Sequence, residues 1–421
     1  MKRPHPSPMA ALIGMTCALM AAFLALPSAT AAPRQRLDEV VEVLAGDIAK
    51  FLRNQGQSSV LVEPFNAPSN TGTNLQIQRR LKEALTREDG IAVIDETQLI
   101  RPNSWSVRGD YSIQTRPDMV TGKKTSRAQV TARLFDERNI EQHTIAPFDF
   151  GLEVNDVADV AVLASATFDA SEAENLSNKL DIVSQKLTTA IENPDVSVDE
   201  DAGRVSASDD SPYSIELLIC DGVNFPPTKS DYLADATRLQ KKTFTTPGGD
   251  QGYAIADLRP GEFYAIRVHN QSDRDVAVKI LVDGLSTFEF SDVLAYKRTD
   301  HWIISAGKTG TVYGWHRTND YSDSFEIAHL PNTAVGKSGR STSHVGMIQA
   351  VFFQAWSENE TPPAGELVRG AALDALGTKQ GTEIKTSYRE VRRFTSKTPI
   401  ASISVRYAKP QDDLPPAIAA F

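Results

Sequence analysis

The sequence predicts an α+β protein: an N-terminal α/β layer domain with a mixed sheet, then an all-β, jelly-roll-like sandwich. Three observations carry that prediction. Helix-period and strand-period apolar patterns interleave up to about residue 192. Short alternating strands with Gly and Pro punctuation fill the chain from residue 213 onward. Between them lies a polar, acidic stretch. The expected units are a signal peptide at 1–31, an α+β domain at 32–192, an acidic linker at 193–212, a β-sandwich at 213–409 and a tail at 410–421.

The first segment reads as an export signal. Lys2 and Arg3 precede an apolar run from Met9 to Leu26, and Ala29-Thr30-Ala31 places cleavage before Ala32. An uncleaved anchor is the rival, but Pro27 and the small-residue site favour cleavage. A signal rich in Gly and Ala of this kind looks bacterial. Cys17 sits inside the apolar run without small residues before it, so no lipid anchor is expected. The mature protein is then periplasmic or secreted. Losing Lys2 and Arg3 lowers the basic count from 44 to 42 against 54 acidic side chains. Such a chain repels phosphate backbones, and no basic stripe with interleaved aromatics offsets this, so nucleic acid is not an expected partner. One mature cysteine, Cys220, remains in an apolar strand-like run; a buried thiol is expected rather than a disulfide.

Leu37, Val40, Val41, Leu44, Ile48, Phe51 and Leu52 share one helical face. Ser59 to Phe65 is a strand, followed by a Gly/Asn/Ser/Pro loop. Thr73 and Gln76 have capping-box spacing before a helix bearing Ile77, Leu81, Ala84 and Leu85. Ile91 to Ile94 reads as a second buried strand. Three longer strands alternate strictly: Trp105, Val107, Gly109, Tyr111 and Ile113, then Ala128 to Leu134, then Phe148 to Val154. Strict alternation argues strands covered on one face only. Helical stretches at 155–168 and 171–192 close the domain. The stretch PDVSVDEDAGRVSASDDSP at 194–212 is Ser/Asp-rich and reads as a solvated linker.

These elements resemble the FlgO-like, CsgG-like and TolB-amino-terminal-like group of bacterial envelope domains over about residues 37–192. The resemblance is carried by VLVEPF at Val60 to Phe65, RRLKEAL at Arg79 to Leu85 and IAVIDETQL at Ile91 to Leu99. WSVRGDY at Trp105 to Tyr111, AQVTARLFD at Ala128 to Asp136 and DVADV at Asp156 to Val160 complete it. It implies a non-enzymatic envelope protein that assembles with or contacts partners. Many such proteins are lipoproteins, and this chain departs from them in lacking a usable lipobox.

Beyond the linker, strands are expected at Tyr213–Ile219, Gly252–Leu258, Phe263–His269, Asp275–Val282, Thr311–Trp315, Ser324–Ala328, Val345–Ala355 and Ile400–Tyr407. Asp283-Gly284 is a tight-turn dipeptide. His269 to Ser286 is similar to the central hairpin of sandwich modules in bacterial secreted proteins.

Catalytic patterns mostly fail. Gly307-Lys308-Thr309 lacks the first glycine of a phosphate loop, since residue 302 is Trp. Ser305 and Lys308 have Ser/Lys acylase spacing but sit between strands, where a β-turn is expected. Gly336 to Gly339 misses a nucleophile elbow by one position. His143, His269, His301, His316, His329 and His344 show no metal-ligand spacing. Glu358 and Glu360, and Asp199 to Asp201, read as solvated charge. No catalytic residue, metal site or cofactor is therefore assigned. The candidate partner-binding surface is aromatic: Trp302, Trp315, His316, Tyr321 and Trp356, with a polar loop at Gly314 to Phe325 and a second loop at Asn332 to His344. Exposed tryptophans make platforms for sugars or protein hot spots, whereas strand tryptophans are ordinarily core. The expected function is a non-enzymatic exported envelope protein that assembles or docks through the α+β domain while its β-sandwich binds a protein or glycan partner, with homo-oligomerisation through a strand edge as a further option. The alternative is a secreted cell-wall or polysaccharide hydrolase, which would need two carboxyl groups within ~5–10 Å in one cleft.

Overall fold

A computed structural model describes residues 35–66, 68, 75–94, 105–117, 122–136, 149–221, 226–246, 249–328, 346–360 and 382–408. The predicted signal peptide, Thr73, Phe148, the Asn332 to His344 loop, Gly336 to Gly339, His143, His329, His344 and the tail lie outside the described residues. The class is α+β, with mixed and antiparallel sheets.

The N-terminal unit contains helices α1 (Leu37–Asn54), α2 (Leu75–Thr86), α3 (Val157–Ala164) and α4 (Lys179–Glu192). Its strands are β1 (Ser59–Asn66), β2 (Ala92–Ile94), β3 (Trp105–Pro117), β4 (Lys124–Asp136) and β5 (Asp149–Val154). They form a sheet of order β2-β1-β3-β4-β5. The β1 strand runs parallel to β2 and β3, and the rest is antiparallel. The sheet is thus mixed, as the pattern predicts. Val107, Tyr111, Ala128, Val130, Ala132 and Leu134 are buried with the apolar stripes of all four helices in one core. The intervening residues of β4 stay partly exposed, which leaves the opposite sheet face open. Gly109 is fixed by packing: a Cβ there would stand 2.1 Å from the Phe65 ring. The β2 strand is a partly exposed edge, not the buried strand its IAVI pattern predicts.

Two further sheets follow. Their strands are β6 (Phe168–Asp169), β7 (Ser197–Asp199), β8 (Arg204–Ser206), β9 (Tyr213–Cys220), β10 (Leu233–Ala234), β11 (Leu239–Thr246) and β12 (Gly249–Asp257). Next come β13 (Phe263–Asn270), β14 (Val276–Val282), β15 (Leu285–Ser286), β16 (Trp302–Ile304), β17 (Lys308–Val312) and β18 (Gly314–His316). The last are β19 (Tyr321–Glu326), β20 (Met347–Trp356), β21 (Glu383–Lys385) and β22 (Phe394–Ala408). One sheet has the path β18-β19-β13-β9-β8-β7, and the other β11-β12-β22-β20-β14-β15. Residues of both sheets share one apolar cluster, including Ile215, Ile266, Val278, Ile280, Phe352 and Ile403. Asp283 and Gly284 both have positive φ (52° and 80°) and join Val282 to Leu285 directly, the two-residue turn their pairing predicts.

The structure corrects four expectations. First, residues 193–212 are not a solvated linker. Val196 and Val205 are buried in the two-sheet core, Val198 packs against it, and β7–β8 extends the sheet from β9. The acidic residues crowd at the hairpin turn, where Asp199 accepts a hydrogen bond from the Ala202 amide. Composition hid three valines that the strand period turns inward. Second, the pairing of β12 with β22 is parallel, which departs from an all-antiparallel jelly roll. A short helix, α5 (Leu294–Thr299), also interrupts the strands. Third, the helix predicted at 155–168 stops at Ala164. Asp156 caps its start through the Ala158 and Asp159 amides, and Ser165 ends it in the left-handed region. Phe168 then enters β6, and the next helix begins at Lys179 rather than Ser171. Fourth, Gly314 to Phe325 is largely the β18–β19 hairpin, not a loop.

β6 decides how the two units meet. It pairs with Ala401 and Ser402 of β22, on the edge that β12 occupies further along at Val405 to Ala408. A strand from the N-terminal unit therefore completes a sheet of the C-terminal one. The α3 helix buries apolar residues on two sides: Val160, Ala161 and Leu163 face the five-stranded sheet, while Ala158 and Val162 pack on Ala277, Leu281, Val351 and Phe353. Polar side chains join the seam. Gln349 Nε2 donates to Ala161 O and Ser402 Oγ, both 3.0 Å, and Tyr213 OH donates to Glu174 Oε1 at 2.7 Å. Buried Lys179 donates to Gln354 Oε1. Placing a charge at Val205 tests the hairpin. Val205→Asp is expected to cost about 3 kcal/mol and to open 193–212 to limited proteolysis, which should spare that segment in the parent protein.

Candidate functional site

β18 splits the predicted aromatic surface in two. Successive strand residues face opposite ways. Trp315 enters the inter-sheet core, edge-on to Phe290 (4.8 Å) and Phe325 (5.2 Å), while His316 faces outward. His316 is 1% exposed and lies within a nest of aromatic rings. Centroid distances are 5.0 Å to Phe288, 5.3 Å to Tyr296, 5.8 Å to Trp302 and 6.0 Å to Tyr388. Only Trp302 and His316 of the five candidates come together here. Trp302 is half-buried and donates through Nε1 to Thr287 Oγ1 at 2.9 Å. Trp356 is buried against Phe394, and Tyr321 is exposed at the start of β19. The burial of Trp315, His316 and Trp356 removes them from any exposed platform; of the three, Trp315 is part of the apolar core between the sheets.

His316 is held in one neutral form. Its Nε2 lies 3.3 Å from Asn319 Oδ1 and its Nδ1 3.0 Å from Ser291 Oγ. The Asn319 amide also donates to Tyr296 OH, which fixes its orientation, and Tyr296 OH donates to Glu390. Nε2–H thus donates to Asn319, and Nδ1 shares the single Ser291 hydroxyl hydrogen with Val293 O and Arg317 O. Burial lowers the His316 pKa to about 4, against the bond to Asn319 and the charge of Asp292, which raise it. Every polar atom of the ring is used inside the nest, so His316 anchors the loops around it.

The carboxylates beside the β18–β19 hairpin are also spoken for. Arg317 bonds Asp292 at 2.9 Å and Asp323 at 3.2 Å. Burial raises the Asp323 pKa, opposed by Arg317. A hydrolytic pair needs open space for substrate between its carboxyl groups, and here a guanidinium fills that space. Other buried ionisable groups are similarly enclosed. Asp283 accepts from the Gly346 and Met347 amides and from Tyr407 OH, and Glu216 accepts from His269 at 3.0 Å and Arg267 at 3.2 Å. Burial raises the Asp283 pKa and lowers that of His269. Ser305 and Lys308 form a turn, with the Lys308 amide donating to Ser305 O. Among the described residues no three His, Cys, Asp or Glu side chains are placed to hold a metal ion.

Two features of the surface remain. The open face of the five-stranded sheet carries cross-strand ion pairs: Arg108–Glu63 at 2.9 Å, Arg133–Asp110 at 2.7 Å and Arg127–Glu153 at 2.8 Å. Arg108 also lies over the Phe135 ring. At the seam between the units is a cavity of about 670 Å3, walled on one side by Ser112, Gln114 and Thr167 and on the other by Tyr253, Ser404 and Arg406. Sequence reasoning missed both. The open face was legible as the charged half of the AQVTARLFD alternation. Arg406 interrupts an apolar strand (ISVRYA), which was the available signal for the seam.

No family model, no curated protein and no solved structure matches the chain. Among the described residues no helix is long and apolar enough to cross a membrane.

Proposed function

We propose that this chain is an exported, non-enzymatic protein of the bacterial envelope that docks a protein partner through the open face of its five-stranded sheet. The observation that supports docking is the ladder on that face. Three ion pairs at strand spacing present both signs of charge, partly desolvated, on a sheet whose other side is sealed by helices. Such a surface favours a partner of complementary charge pattern and rejects mismatched ones. The resemblance of residues 37–192 to envelope assembly domains points the same way, and the signal pattern at 1–31 supports export. Enclosure of the aromatic candidates weakens the second role expected of the C-terminal unit, binding a protein or glycan, and leaves docking through the N-terminal domain as the reading kept.

The experiment has two readouts. Expressed with its own N-terminus in a bacterial host, the protein should fractionate with the periplasm and begin at Ala32. In cross-linking on envelope extracts, the double variant Arg108→Gln, Arg133→Gln should lose the partner that the parent captures. Exposed pairs are worth about 0–1 kcal/mol each, so the variant should melt nearly as the parent does. Capture of the same partner by both proteins would defeat the docking reading.

A further inference from the structure

The four ends of the two C-terminal sheets differ in length. Strands β7, β15 and β18 close three of them with 3, 2 and 3 residues, whereas β11 closes the fourth with 8. Short edges resist pairing with another chain, and long ones invite it. β11 pairs with β12 along its whole length without a register shift. Gly252 of β12 donates its amide to Pro194 O at 2.8 Å, so that amide points away from β11. Thr243, directly opposite Gly252, is therefore in a non-hydrogen-bonded pair and directs its own N–H and C=O away from β12. The same alternation turns the backbone groups of Lys241 and Thr245 outward. Among the described residues, Lys241 to Thr245 make no backbone hydrogen bond outside the β12 ladder. Gln240, Lys241, Lys242, Thr243 and Thr245 are exposed, so nothing in the chain covers this edge.

Leu239 enters the inter-sheet core, which puts Lys241, Thr243 and Thr245 on its side of the strand. Gln240, Lys242 and Phe244 take the other side, where Phe244 lies 5.9 Å from the Tyr253 ring. We propose that β11 pairs antiparallel with β11 of a second copy of this chain, joining two eight-stranded sheets across a two-fold axis at Thr243. A contact of this kind is isologous, the same edge serving both copies. The edge itself selects the register. Only outward-pointing residues bond across it, so Thr243 must meet Lys241, Thr243 or Thr245 of the other copy. Centring the axis on Lys242 sets Lys242 against Lys242, a like-charge pair. Centring it on Phe244 carries Lys241 past the end of β11 at Thr246 and shortens the ladder. Centring it on Thr243 pairs the whole of Gln240 to Thr246 through about six backbone hydrogen bonds. Lys242 of each copy then lies opposite Phe244 of the other, a cation against an aromatic ring. Lys241 lies opposite Thr245, whose hydroxyl donates to exposed Asp250 Oδ1 at 2.7 Å. That carboxylate is about 10 Å from the other copy's strand, two strand spacings and within a lysine's reach. None of these residues belongs to the five-stranded sheet, so the pairing does not depend on the docking face.

Sedimentation velocity of the full chain over about 1–200 µM tests the pairing, and a concentration-dependent monomer–dimer equilibrium is expected. Thr243→Pro removes only an outward N–H, a change that edge strands tolerate. The variant should fold as the parent does and raise the dimer dissociation constant at least about ten-fold. The register has its own test, since Cα atoms of a non-hydrogen-bonded pair stand about 4.5 Å apart, within disulfide range. An equimolar mixture of Lys242→Cys and Phe244→Cys proteins should form a covalent dimer on mild oxidation, whereas either protein alone should form little. Cys220 is buried and does not compete. A monomer throughout the range, a dimer unaffected by Thr243→Pro, or cross-linking as strong in either single variant as in the mixture would each overturn the proposal. A dimer lost instead in the Arg108→Gln, Arg133→Gln variant would move association to the docking face and overturn it too. If Thr243→Pro does not fold, the cross-linking result decides alone.

Discussion

Phe352→Ala is expected to destabilise the entire chain by about 3–5 kcal/mol and to do so in a single unfolding transition. Phe352 is fully buried at the centre of β20 and stacks on Tyr213 of the facing sheet, with ring centroids 4.9 Å apart. Tyr213 in turn donates to Glu174, which comes from the segment between β6 and α4. The truncation thus opens a cavity between the two sheets and loosens a contact that ties them to the N-terminal unit. Two units joined by a solvated linker would unfold separately. Here β6 is a strand of the C-terminal sheet, β7–β8 fills the supposed linker, and α3 lies between sheets. Urea unfolding followed by tryptophan fluorescence and far-UV circular dichroism checks both claims. Coincident curves with a lowered midpoint are expected; two separated transitions would sink the single-unit account.

Acid should destabilise the protein through His316, by about 3 kcal/mol between pH 6.5 and 4 at ~1.4 kcal/mol per pH unit. The direction follows from proton counts. The unfolded imidazole titrates near 6.5, but the buried ring holds off protonation to about 4. Between those values the unfolded state binds more protons, so stability falls as pH falls. The contribution is complete above about pH 6.5. Protonation would force Nδ1 to donate toward Ser291 and place a charge among Phe288, Tyr296, Trp302 and Tyr388. Asp292, and Glu390 through the Tyr296 hydroxyl, are the acidic groups facing the nest. His269 and His301, both lowered by burial, add slope of the same sign. Comparison with His316→Phe separates them. That variant loses two hydrogen bonds and should be about 1–3 kcal/mol less stable at pH 7, yet show a shallower loss of stability toward pH 4. Parallel pH profiles for the two proteins would assign the titration elsewhere.

Much of the N-terminal fold was legible because its long strands, β3 and β4, are covered on one face. Alternation in Trp105 to Ile113 and Ala128 to Leu134 marked the buried sides correctly, and the helical stripes at Leu37 and Ile77 did the same. Legibility failed where cover came from both sides or from afar. In β20 every residue of MIQAVFFQAW is buried, because α3 and the start of α4 at Lys179 lie on one face and the second sheet on the other. Gln349 and Gln354 then read as solvent-facing by polarity, yet serve as buried ties to Ala161 and Glu174.

The aromatic candidates show the same division. By itself the sequence placed Trp315 at the end of a strand and His316 in the loop after it; that both sit on β18 and therefore face opposite ways was decided by the β18–β19 pairing. The sequence also marked the helices around Leu37 and Ile77, the strands around Trp105 and Ala128, the Asp283-Gly284 turn and the burial of Cys220. Only the tertiary structure decided which sides were covered: that Phe288, Tyr296 and Tyr388 would close over His316, and that Val196 and Val205 would make a hairpin of an acidic stretch. It likewise set Arg406 and Ser404 against a wall from the other unit. Local periodicity fixes the direction in which a side chain leaves the backbone; what meets it there comes from residues distant in the chain, whose approach no local pattern records.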